Sequence, residues 1–110
     1  MAIERSRGHS LPEEVITELL AHPYRRALLR ALARDERPRT VRELARAIVS
    51  TLEPHTQSSE SPAPPDSERV RRELYDRHLP KLTATTVVVY NPQQATVEPG
   101  RAFALVADRL

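Results

Sequence analysis

At 110 residues, with a formal charge of +2 and no cysteine, the chain has room for one domain and a small core, and it can form neither a disulfide, a thiolate metal site nor a thiol nucleophile. No apolar run approaches the roughly 18 residues of a membrane span, and the opening MAIERSRGHS lacks the apolar stretch of a signal peptide, so a cytoplasmic protein is expected. Only Tyr24, Tyr75, Tyr90 and Phe103 supply aromatic rings beyond imidazole; a core of Leu, Val, Ile and Ala leaves a thin stability margin that self-association offsets, and a homodimer is expected.

Residues 1–10 read as a flexible polar tail, and Ser10 is a candidate cap for the first helix. Pro12 in a first-turn position, Glu13 and Glu14 at the positive end of the dipole, and Val15, Ile16, Leu19 and Leu20 on one face predict that helix over 12–21. Pro23 breaks it at His22 and opens a second helix over 23–33. Leu28, Leu29 and Leu32 form its apolar stripe, and Arg25, Arg26, Arg30 and Arg34 are placed to stay solvated. Thr40 and Glu43 have capping-box spacing, and Val41, Leu44, Ala45, Ile48 and Val49 give a third helix ending near Leu52. The proline-rich, polar EPHTQSSESPAPPD (53–66) is a flexible loop.

The stretch 66–82 predicts one central helix, capped by Asp66 or Ser67. At about 100° per residue, Val70, Leu74, Tyr75, His78, Leu79 and Leu82 share the packing half, while Arg69, Arg72, Glu73, Asp76 and Arg77 occupy the other. Pro80 ends or kinks the helix, leaving Lys81 and Leu82 as a last irregular turn. TTVVVY (85–90) and ATVEP (95–99) are strand-like, and NPQQ between them turns the chain into a hairpin whose tip, Asn91 to Gln94, carries no Lys or Arg. RAFALVADRL then forms a C-terminal helix over 100–110 with Ala102, Phe103, Val106 and Leu110 near one stripe, a surface suited to a dimer contact. A helix followed by two strands is the order of a recognition helix and its wing. The expected fold is therefore mainly α with a small β-hairpin, a winged helix-turn-helix domain over 11–99 with a C-terminal helix.

Chemistry is sparse. His9, His22, His55 and His78 are scattered without ligand spacing, with His78 the one expected to be buried; Gly8 and Gly100 cannot make a phosphate loop, and the serines cluster in the polar loop. No metal, cofactor, small-molecule substrate or catalytic residue is expected. The arginines are the functional signal. Residues 1–52 carry ten Arg against seven acids, 53–66 three acids and no Lys or Arg, and 67–83 five bases against three acids. Arg69, Arg72, Arg77 and Lys81 are the expected contacts to double-stranded DNA, with Arg42 and Arg46, and also Arg25 and Arg26, adding backbone contacts. The competing reading is a solvated face whose Glu68–Arg72 and Glu73–Arg77 spacings pair charge i to i+4. The 53–66 loop also forfeits the usual turn of about three or four residues between the two helices of the motif. A DNA-binding transcriptional regulator is expected, with a winged-helix interaction or dimerisation module as the alternative.

YDRHLPKL (75–82) followed by VVVY, AHPYRRALLRAL (21–32) and TVRELARAI (40–48) resemble winged-helix domains of halophilic archaea, grouped mainly as a family of unknown function, over about 20–97. The resemblance implies a fold and a regulatory role, and neither a substrate nor a reaction. Two departures matter. Thr86 stands where that family usually has glycine, which costs roughly 1 kcal/mol if the position requires positive φ. Arg71 stands where an aromatic residue is usual, so either its stem packs with its head in solvent or that face is open to a partner.

Overall fold

The computed structural model describes residues 11–35, 37–52 and 66–110. The expected tail, its Ser10 cap and all of the polar loop except Asp66 lie outside these residues. Helix α1 (Glu13–Leu19) starts from Pro12, whose extended backbone (φ −61°, ψ 150°) aims its carbonyl at the amides of Val15 and Ile16. Helix α2 (Pro23–Asp35) begins where proline is tolerated, because its missing N–H would have had no partner there. The His22 ring caps this start, its Nδ1 accepting from the Tyr24 amide at 3.1 Å.

Strand β1 (Arg39–Thr40) leads directly into α3 (Val41–Leu52). The junction is the predicted capping box, with Glu43 N donating to Thr40 Oγ1 at 3.0 Å and Thr40 N to Glu43 Oε1 at 3.1 Å. Helix α4 (Ser67–Glu73) is capped by Asp66, whose carboxylate accepts from Arg69 N at 2.8 Å. It continues through a π-helical turn (Leu74–His78) into α5 (Leu79–Ala84). Of the two outcomes expected at Pro80, an end or a distortion of the helix, it is not the end that occurs, and Lys81 and Leu82 lie in regular helix rather than in a last irregular turn. In a regular helix its ring would collide with the carbonyl four residues back; instead the turn before it widens, and the Leu79 amide reaches Leu74 O. Pro80 then falls in the first turn of α5, which needs no N–H from it.

Strands β2 (Val88–Asn91) and β3 (Thr96–Pro99) form the expected hairpin, in register Val88 with Pro99 and Tyr90 with Val97. The sheet has a third strand that the sequence did not announce: β1 pairs antiparallel with β3, Arg39 opposite Val97, giving the order β1-β3-β2. Both turns into β2 and β3 use positive φ without glycine, at Thr86 (60°) and Ala95 (54°). Thr86 therefore does occupy the left-handed conformation. Its carbonyl accepts from the Ala102 amide at 3.0 Å and lies where a Cβ on Gly100 would collide with it, so glycine is required at 100 by close approach.

The core is aliphatic, as composition demanded: Leu28, Leu29 and Leu32 of α2, Leu44 and Ile48 of α3, Val70 and Leu74 of the central helix, Leu82, and Val87 and Val97 of the hairpin are all fully buried. Helix α6 (Phe103–Ala107) is shorter than the three turns expected, and Ala102, Phe103 and Val106 are buried in this same core. Most of the stripe read as a dimer surface is thus covered within one chain. Arg109 pairs with Glu13, tying this end to α1. The result is a mainly helical fold with a small antiparallel sheet and a C-terminal helix, compatible with a winged-helix arrangement.

Candidate nucleic-acid interface

The structure separates the eight arginine and lysine residues singled out by the sequence into four places. Arg69, Arg72 and Arg77 lie along the outer face of the central helix, where with Glu73 and Asp76 they line a shallow groove of about 280 Å³. Arg77 sits 3.5 Å from Glu73, the expected i to i+4 pair. The other expected pair does not form. Glu68 turns instead to Arg71, presenting both oxygens to its Nη2 at 2.9 and 3.0 Å, so Arg69 and Arg72 are exposed and make no ion pair among the described residues.

Arg42 and Arg46 are one turn apart on α3 and face a second cleft of about 250 Å³, between α3 and the start of α4, which they line with Ala45, Ser67, Glu68 and Arg71. Arg42 and Arg71 also border a neighbouring hollow with Thr40, Tyr75 and the wing-tip residues Gln94 and Ala95. Arg71 thus faces both hollows, the one beside α3 and the one beside the wing tip. Its sequence signal was its anomaly, a charge in the helix's apolar arc. Its side chain is 31% exposed, with the head at the surface.

Lys81 is elsewhere. Its ammonium is 3.0 Å from Glu18 on α1, and this hydrogen bond is the main reason the Glu18 carboxyl is held below the usual carboxylate range. The lysine is matched by an acid from a helix distant in sequence, which no local spacing could reveal.

Arg25 and Arg26 correct the expectation that they stay solvated. Arg25 is only 6% exposed. Its Nε donates to Leu19 O and its Nη2 to Glu18 O, both at 2.8 Å, and Nη1 lies 3.0 Å from His78 Nδ1. Arg26 Nη1 donates to Leu20 O at 2.7 Å. Together they satisfy the Leu19 and Leu20 carbonyls left open at the end of α1 and add a second donor to Glu18 O, which also accepts from the Ala21 amide. Their role is to hold the break between α1 and α2, which Pro23 creates by stopping the helix.

His78, expected to be buried, is 1% exposed. Burial first, then the neighbouring His22 and Arg25, push its pKa down to about 4; it is neutral near pH 7, and Nδ1 accepts from Arg25. Nε2 is buried with no partner among the described groups. His22 packs beside it with ring centroids 4.4 Å apart and is also shifted down, mainly by burial. Tyr75 departs from its predicted packing position: it is 40% exposed and stands edge-on to Tyr90 across the base of the wing. Among the described residues no group of three or more His, Asp or Glu side chains converges for a metal, and no helix is long and apolar enough to cross a membrane.

Fold and surface define a small, mainly helical domain of winged-helix-like arrangement with an arginine-rich face on its central helix. The chain belongs to the family described as a domain of unknown function, DUF7344, which matches residues 17–98. That match runs from α1 into β3 and nearly coincides with the stretch on which the sequence resemblance rests. No curated protein and no solved structure is significantly similar to the chain.

Proposed function

We propose that this protein binds double-stranded DNA through the central helix and acts as a transcriptional regulator. The observation that carries the reading is the outer face of α4, where Arg69 and Arg72 are exposed without a carboxylate partner among the described residues and Arg77 continues the row. Guanidinium groups on such a face can grip phosphates or pair with guanine O6 and N7 in the major groove. The wing tip lies beside the start of α3 and the middle of the central helix, in position to follow the backbone next to the groove. It carries amides rather than cations, so its contribution is hydrogen bonding without electrostatic pull. The reading includes pairing of two copies, whose central helices, if about 34 Å apart, would enter successive major grooves.

The test is fluorescence anisotropy of the full chain with duplex DNA over a range of salt. Affinity should fall with a log–log slope of about 0.9 per phosphate neutralised, and Arg72→Ala should weaken binding. Absence of binding even at low salt would refute the reading. A second reading, an interaction module without DNA binding, is favoured by one observation: Val89 is 49% exposed on β2, an edge of the sheet among the described residues. Self-association abolished by Val89→Lys, together with no DNA affinity, would select it.

A further inference from the structure

We propose that Arg42, Arg46 and Arg71 form a seat for a backbone phosphodiester, and that Glu68 occupies it in the free protein as a stand-in for the phosphate. The inference rests on the DNA-binding reading and adds a second contact surface to it, with a built-in competitor.

The cleft of about 250 Å³ between α3 and α4 is lined by three guanidinium groups and one carboxylate, with the short Ala45 and the Ser67 hydroxyl completing it. Arg42 and Arg46 are like charges at i and i+4 on one helix, an arrangement that is unfavourable unless an anion lies between them or water screens them. Neither makes an ion pair among the described residues. Glu68 offers both oxygens to Arg71 at 2.9 and 3.0 Å, the hydrogen-bond chemistry that a phosphate's non-bridging oxygens supply to arginine. The carboxylate is readily displaced: its side chain is 66% exposed, and exposed ion pairs hold weakly. Because Arg42 and Arg71 also face the hollow next to Gln94 and Ala95, a strand seated here continues toward the wing tip.

Two consequences separate this arrangement from an ordinary surface ion pair. Removing the Glu68 charge both frees Arg71 and removes a negative charge from the path of the DNA, so Glu68→Gln should tighten duplex binding, whereas loss of an ion pair that merely steadied α4 would weaken it. The freed Arg71 should also add about one phosphate contact to the salt dependence.

The experiment compares the wild-type chain, Glu68→Gln and Arg46→Ala by anisotropy with a labelled duplex as salt is varied. It also follows the arginine Nε–H resonances by NMR as inorganic phosphate is added at constant ionic strength. Expected are a roughly three- to tenfold gain in affinity for Glu68→Gln at low salt, with a steeper salt slope, and a weaker, shallower dependence for Arg46→Ala. Unchanged or weakened binding by Glu68→Gln, beside a wild type that binds duplex, overturns the seat and leaves the DNA reading standing. A wild type that binds no duplex overturns both. Saturation of the Arg46 and Arg71 resonances by millimolar phosphate that leaves duplex affinity unchanged assigns the seat to free phosphate and overturns the DNA contact, whereas displacement of the duplex by phosphate supports it.

Discussion

Replacing Arg25 with alanine should damage the fold far more than any other single arginine change in α2. The guanidinium makes three buried or half-buried hydrogen bonds, to Leu19 O, Glu18 O and His78 Nδ1, at 2.8, 2.8 and 3.0 Å. Hydrogen bonds to a charged group contribute about 1.5 kcal/mol or more each. Removal also leaves the Leu19 carbonyl without its donor and a second nitrogen of a buried imidazole unpaired, while Glu18 O keeps the Ala21 amide. Loss of the long side chain's packing adds to this, while water entering the gap and relaxation of α1 subtract from it. The net effect is about 3–5 kcal/mol, a large part of the roughly 5–15 kcal/mol that stabilises a domain, and it corresponds to a drop in Tm of more than about 12 °C. Urea unfolding followed by circular dichroism measures it, with Arg30→Ala, an exposed neighbour on the same helix, as the control expected within about 0.5 kcal/mol of wild type. Arg25→Lys should rescue little, since an ammonium lacks the planar fork that reaches three acceptors at once. If Arg25→Ala and Arg30→Ala unfold at the same urea concentration, the claim that this guanidinium fastens α1 to α2 and to the central helix is wrong.

Acid should weaken the fold through His78. Its folded pKa of about 4 lies below the unfolded value near 6.5, so between the two the unfolded chain binds more protons and stability rises with pH. The contribution is fully present above about pH 6.5 and is lost as pH falls toward 4, with His22, shifted in the same direction, adding slope of the same sign; His78→Gln should flatten the pH dependence of the urea midpoint in that window. Gly100→Ala should destabilise by about 2 kcal/mol or more, because the new Cβ would collide with the Thr86 carbonyl, a backbone group that cannot swing aside. Thr86→Gly should stabilise by about 0.5–1 kcal/mol, since φ is 60° there, and equal thermal midpoints for either variant and wild type would contradict the strain assigned to this crossing. Thr40→Ala should cost about 1 kcal/mol by removing the cap of α3, which denaturant unfolding would register.

Much of the architecture was legible because it depends on short-range rules. The prolines at 12 and 23, the Thr40–Glu43 cap, the apolar spacing along α3 and the β-branched run before the wing each act within a few residues, and the helices and hairpin lie close to where those signals put them. Strand β1 escaped notice because two residues carry no periodicity; it exists only because β3 offers a free edge beside Arg39 and Thr40. The candidate site was legible in type but not in grouping. That arginines would mark the surface was clear, yet local spacing suggested Glu68 with Arg72, and the carboxylate chose Arg71 three residues along instead.

The sequence by itself determined where helices start, which residues fill an aliphatic core, and that Thr86 would be strained if its position required positive φ. These are local or compositional consequences. Only the tertiary structure decided the fate of each charge. Arg25 lies inside because α1, broken at His22, brings its open Leu19 carbonyl against α2. Lys81 is matched because Glu18 comes to it across the fold, and Arg42, Arg46 and Arg71 share one cleft because α3 and α4 pack there. Apolar residues need only a burial direction, which periodicity supplies. A cation needs a particular partner at about 3 Å, and that partner can come from anywhere in the chain.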